Sequence, residues 1–193
     1  VAGDVKYVDR NGDGVVDDND RDIIGNPNPD FTYGFQTKVS WKSLSLSASF
    51  NGVQGRDILN VGNRYNNTPG TKSNNVTRKA FQNMWTDENP SNLYPKSTFV
   101  VQNMVMDRYV EDGSYLRCSD ITLSYVLPAK WTNKIGIKNT SVYASVKNAF
   151  VITDYSGYDP EVNSFAFDGL RPGVDMNSYP TPRSFVFGLN LTF

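Results

Sequence analysis

The sequence predicts an all-β fold: five antiparallel strands forming the C-terminal part of a large transmembrane β-barrel, with long extracellular loops. Three observations predict it. Apolar and polar residues alternate with period two over five stretches, the mark of strands with one greasy and one wet face. The connections between them are by turns short and long, as in outer-membrane barrels. The wet face is mostly Ser, Thr, Gly, Asn and Gln, which suits a hydrated lumen better than a soluble exterior with its denser charge.

Residues 1–30 read as an extracellular loop carrying a calcium-type motif. The first strand, 31–41, sets Phe31, Tyr33, Phe35, Val39 and Trp41 against Thr32, Gly34, Gln36, Lys38 and Ser40. After Lys42-Ser43 the second strand, 44–52, sets Leu44, Leu46, Ala48 and Phe50 against serines, completing a hairpin. The third strand is 114–127. Its apolar residues change phase between Cys118 and Ile121, which predicts a bulge or a membrane boundary near Ser119–Asp120. A short polar connection, 128–138, leads to the fourth strand, 139–151, with Val142, Ala144 and Val146 on one face. The fifth, 183–193, aligns Phe185, Phe187, Leu189, Leu191 and Phe193. The loops 53–113 and 152–182 are the long ones, and 74–85 offers a short helix. Aromatics such as Trp41 and Trp131 near strand ends suit interfacial girdles.

Composition agrees. The 193 residues carry 19 Lys plus Arg against 20 Asp plus Glu, for a formal charge of −1. That balance predicts no strong attraction to nucleic acid or to anionic lipid headgroups. Mean hydropathy is −0.48 with 13% aromatics, too aromatic for a disordered chain. The absence of histidine removes Ser-His-Asp and Cys-His catalysis. The lone Cys118 cannot form an intrachain disulfide and reads as a small packed thiol. No stretch reaches the roughly 20 apolar residues of a membrane helix. The chain opens on Val1 without a signal peptide, which suggests an excised piece. Five strands cannot close a barrel of at least about 8, so the rest of the wall is expected upstream.

One motif carries chemistry. Residues 9–20, Asp-Arg-Asn-Gly-Asp-Gly-Val-Val-Asp-Asp-Asn-Asp, match the spacing of a twelve-residue calcium loop. The ligands would be the Asp9, Asn11 and Asp13 side chains, the Val15 carbonyl, Asp17 directly or through water, and Asp20. Gly14 takes the sharp turn. Calcium wants six to eight oxygens, and without a cation the crowded carboxylates repel one another. Asp20 stands where a bidentate Glu is usual and no paired helices are evident, so calcium would bind weakly and stiffen the loop. The bland reading is an Asx turn without metal. The other acids (Asp87-Glu88, Glu111-Asp112, Asp159 with Glu161) read as solvated loop charges rather than acid/base pairs. Trp85, Tyr94, Tyr155 and Tyr158 could stack on a sugar but pack on loops as readily. No catalytic residue is assigned.

Several runs go beyond periodicity. Gly3-Asp4-Val5-Lys6-Tyr7, the Asp9–Gly14 stretch, Ile24-Gly25-Asn26-Pro27-Asn28-Pro29-Asp30-Phe31 and Gly52-Val53-Gln54-Gly55 come first. Then follow Trp85-Thr86-Asp87-Glu88-Asn89-Pro90, Val110-Glu111-Asp112-Gly113-Ser114-Tyr115-Leu116-Arg117, Leu123-Ser124-Tyr125-Val126-Leu127-Pro128 and Tyr155-Ser156-Gly157-Tyr158-Asp159-Pro160-Glu161. Together, and in order, they resemble the last strands of the SusC/RagA family of TonB-linked outer-membrane transporters. The resemblance implies location in the cell outer membrane, a 22-stranded barrel with an amino-terminal plug, and TonB-driven import of oligosaccharides, peptides or similar nutrients. It also implies a SusD-like surface lipoprotein as partner, coupling to TonB through a part missing here, contact with outer-membrane lipid, and no enzymatic activity. It further suggests the terminal Phe193 pattern as an assembly signal. Two other readings stay open: a soluble secreted calcium-binding β module, and a loop-based glycosidase, which needs two carboxylates about 5–10 Å apart across a cleft.

Overall fold

The computed structural model describes residues 1–68, 75–97, 105–132, 137 and 139–192. The alternating stretches become β1 (Phe31–Trp41), β2 (Leu44–Gln54), β5 (Tyr115–Val126), β6 (Asn139–Thr153) and β8 (Ser184–Thr192), in one antiparallel sheet ordered β1-β2-β5-β6-β8. These bounds lie within two residues of those the alternation predicts; Phe193 lies outside the described residues. The long connection 53–113 is more structured than its composition suggests. It holds β3 (Asp57–Asn60), α1 (Val61–Asn67), α2 (Arg78–Asn83) and β4 (Val110–Asp112), and β7 (Val174–Asp175) joins β3 and β4 in a second sheet. The expected helix over 74–85 is α2, capped by the Thr77 hydroxyl; Asn74 itself lies outside the described residues. In the short connection 128–138, α3 (Ala129–Thr132) makes one turn.

The chain folds as two compact units. One contains residues 1–27, 57–111 and 162–178, and the other residues 28–56, 112–161 and 179–193. Residues 1–30 are thus not a unit of their own. The first unit has a small conventional core around Ile58, Ala80 and Tyr109.

The second unit, which holds the five strands, is turned inside out. Cross-strand register lines up Val39, Leu46, Leu123, Ala144 and Phe187 on one face, with Phe35, Phe50, Cys118 and Phe150 beside them. That face lies open: Phe187 is 79% exposed, Phe185 65% and Val39 64%. The buried side chains of this unit include Arg117, Ser145 and Asp159 instead. A soluble sheet would bury Phe187 and expose the serines; here none of the described residues covers Phe187, Phe185 or Val39. Among the described residues no helix is long and apolar enough to cross a membrane.

The predicted bulge falls at Ser119. Ser49 pairs with Asp120 while Phe50 pairs with Cys118, leaving Ser119 without a partner in β2. Because side chains alternate, one extra residue flips the faces. Upstream of it Leu116 and Cys118, and downstream of it Ile121 and Leu123, therefore share the apolar face although they differ in parity. Cys118 is fully buried, flanked in register by Phe50 and Phe150, whose rings lie 6.4 Å apart. The packed-thiol reading holds. Gly52 has a local reason too: a Cβ there would come within 2.3 Å of the Tyr33 ring that lies across it.

Candidate functional site

The wet face of the sheet carries the buried ionic chemistry. Tyr115 and Arg117, upstream of the bulge, share that face, and the chain returns after β6 through Tyr155–Glu161. Arg117 Nη2 lies 2.5 Å from Asp159 Oδ1, and Arg117 Nε lies 2.6 Å from Glu161 Oε2. Asp159 Oδ1 also accepts the Glu161 amide at 2.9 Å, and Oδ2 accepts the Thr181 amide at 2.9 Å. The Tyr115 hydroxyl donates to Glu161 Oε1 at 2.7 Å, and Arg56 donates to the Pro160 carbonyl. Burial alone would raise the Asp159 carboxyl. The Glu161 and Thr181 amides and the Arg117 charge outweigh it, holding the carboxyl below its usual range.

This corrects the reading of Asp159 as a solvated loop charge. Its side chain is 5% exposed, and Arg117 with the Glu161 and Thr181 amides holds it in place as a buried carboxylate. Its chemistry is positional: it pins the connection after β6 to Arg117. Sequence reasoning missed the pair because 42 residues separate its members. The available signal was a lone arginine on the wet face, in phase with Tyr115.

A second wet-face cluster sits at the bulge. The Thr122 and Ser145 hydroxyls both donate to Asp120, at 2.7 Å each, and Ser119 donates to the Ser49 carbonyl at 3.1 Å. Glu111, in the other unit, accepts from the Asn60 and Asn63 amides at 3.0 and 2.9 Å and steadies the start of α1. Asn63, Lys79, Tyr94 and Arg108 line a polar cleft of about 170 Å³ there. Of the loop aromatics considered for stacking, Tyr155 is buried while Tyr158 is 75% exposed. The Trp85 ring lies against Gly3.

The Asp9–Asp20 loop is ordered by its own carboxylates. Asp9 accepts the Gly12 and Gly14 amides at 2.7 and 2.8 Å, Asn11 the Asp13 amide, Asp13 the Val15 amide, and Asp17 the Asn19 amide. Asp20 accepts the Asp17 and Arg10 amides, which hold its carboxyl below the usual range. Gly12 and Gly14 adopt φ of +75° and +84°, so Gly14 makes the turn that its position requires. Among the described residues, no three acidic, cysteine or histidine side chains stand gathered as a metal cluster.

No family model matches the sequence. TonB-dependent receptor P26 of Formosa agariphila is 35% identical over 201 residues, a match covering 100% of this chain and 20% of the receptor. TonB-dependent receptor SusC of Bacteroides thetaiotaomicron is 34% identical, over 97% of this chain and 17% of SusC. Among solved structures, the RagAB peptide importer in its open-open state aligns with a TM-score of 0.73 at 30% identity, covering 89% of this chain and 18% of that chain. The RagAB peptide transporter aligns with a TM-score of 0.75 at 29% identity, with the same coverage. The chain spans about one fifth of the length of the curated relatives it matches.

Proposed function

We propose that this chain, homologous over its whole length to part of the SusC/RagA-type TonB-dependent receptors, is a wall-and-loop segment of an outer-membrane transporter importing nutrients such as oligosaccharides or peptides. The observation that carries the reading is the uncovered apolar face running across all five strands, with ion pairs and hydroxyls on the opposite face. In lipid that face meets acyl chains, and the wet face looks into the lumen. With β8 ending in the periplasm, residues 1–30, 53–113 and 152–182 are extracellular. A SusD-like surface lipoprotein would meet these loops, and TonB would act through the remaining four fifths of such a receptor. No step of the reading needs an enzymatic group. The soluble calcium-binding module finds no support, since its apolar sheet face would stand in water.

Uptake tests this reading. Cells carrying the full-length receptor are expected to accumulate a labelled peptide or oligosaccharide only while TonB is intact. Accumulation unchanged by loss of the receptor or of TonB would refute the transport role.

Within this reading the Asp9–Asp20 loop serves as a calcium-stiffened surface loop. Each carboxylate oxygen that accepts one amide keeps a lone pair for a cation; the Asp9, Asn11, Asp13, Asp17 and Asp20 side chains and the Val15 carbonyl would have to be drawn together around one ion. Millimolar calcium is expected to slow protease cleavage within residues 4–30, and Asp9→Ala to abolish the effect. Equal cleavage with calcium and with chelator would leave the loop an Asx turn.

A further inference from the structure

We infer that the short-turn end of the five-stranded sheet is a docking surface for anionic phospholipid headgroups, carried by Trp41, Lys42, Lys130 and Trp131. The inference rests on the membrane-wall reading above and adds a lipid preference to it.

The starting observation is an uneven distribution of charge. The whole chain is nearly neutral, yet segments 31–56, 113–153 and 183–193 hold nine Lys or Arg and a single acid, Asp120. That acid lies at the bulge, already bound by the Thr122 and Ser145 hydroxyls. The end where β1 turns into β2, and where β5 runs into α3, therefore bears cations without acidic side chains. Among the described residues neither Lys42 nor Lys130 has an acidic partner.

The two tryptophan–lysine pairs belong to one end. Trp41 and Leu44 close the hairpin around Lys42-Ser43. The Val126 amide then donates to the Ser43 carbonyl at 2.8 Å, and α3 starts three residues later. Trp41 is 69% exposed and Trp131 66%. Lys42 Nζ stands 4.8 Å over the Trp41 ring, so cation and indole form one amphipathic group. Trp41 also ends the lipid-facing row of β1. An indole at that level prefers the headgroup region, which puts the ammonium beside phosphates rather than acyl chains. An acidic protein would satisfy the lysines but would leave both indoles without their apolar neighbour. The joint pattern selects a lipid.

Near an anionic membrane surface each such lysine strengthens attraction about five-fold. The test uses the full-length receptor in vesicles of phosphatidylcholine doped with brominated phosphatidylglycerol or brominated phosphatidylcholine. Subtracting the emission of Trp41→Phe/Trp131→Phe isolates the local signal, and heat-modifiable mobility reports that each variant is folded. Brominated phosphatidylglycerol is expected to quench at roughly five- to twenty-fold lower content than brominated phosphatidylcholine. In Lys42→Gln/Lys130→Gln the two lipids should become equivalent. Equal quenching in the parent protein, or a preference that survives the double substitution, overturns the docking surface. Quenching by neither lipid would instead sink the membrane-wall reading beneath it.

Discussion

Arg117 and Asp159 face each other at 2.5 Å with side chains only 6% and 5% exposed, on the sheet face opposite the apolar one. Removing Arg117 strands the buried Asp159 charge, which costs about 3–5 kcal/mol; removing the Asp159 charge costs less, because Glu161 Oε2 still stands 2.6 Å from Arg117 Nε. Arg117→Met and Asp159→Asn should each lower the temperature at which the full-length barrel loses its heat-modifiable mobility. The double variant should recover part of the loss, because the stranded charge is gone. Additive losses in the double-mutant cycle would show that the two side chains are not coupled.

The same pair sets a pH dependence. Asp159 is held below the usual carboxylate value, so its contribution is fully present above the unfolded value of about 3.9 and is lost as pH falls through the folded one. The stability gap between the parent protein and Asp159→Asn should stay constant from neutral pH to about pH 5 and narrow in more acid solution. Thermal melts of both proteins across that range measure it. A gap that widens on acidification would contradict the assignment.

Local alternation was enough to read the five strands, the hairpin at Lys42-Ser43 and the bulge at Ser119, because each shows itself within a dozen residues. β3 and β7 could not be read this way. Val174-Asp175 is too short for any period, and its partner Leu59-Asn60 lies over a hundred residues away. The burial of Asp159 was equally hidden. An Asp-Pro-Glu run looks like a solvated loop until the fold brings Arg117 beneath it. For the Asp9–Asp20 loop, spacing correctly fixed the turn at Gly14, since the positive φ there is a local backbone demand.

A charge tolerated in the lumen should not be tolerated on the apolar face. Phe187 is 79% exposed in the middle of β8, so Phe187→Arg places a guanidinium against acyl chains, at about 2–4 kcal/mol near the bilayer midplane. Ser124→Arg puts the same group on the wet face of β5, beside Ser45 and Tyr143 in register. Folded fractions in vesicles should fall sharply for the first and little for the second. Equal tolerance would mean that lipid does not cover this face.

Deleting Ser119 is the most demanding test of the register. The residue occupies the one position inside β5 that the β2 register skips, and its side chain makes one ordinary bond to the Ser49 carbonyl. Ser119→Ala should therefore cost no more than about 1 kcal/mol. Deletion is different in kind. With the extra residue gone, continuous pairing of β5 with β2 carries residues 115–118 to the opposite faces. Arg117 would then point toward lipid, away from Asp159 and Glu161, while Leu116 and Cys118 would enter the lumen. The protein can keep the downstream half of β5 in place or the upstream half, but not both. We expect the deletion variant to lack heat-modifiable mobility and to be cleared before it accumulates in the outer membrane, while Ser119→Ala accumulates normally. A deletion variant that accumulates in the outer membrane and keeps its heat-modifiable mobility would show that the bulge does not set the faces of this sheet.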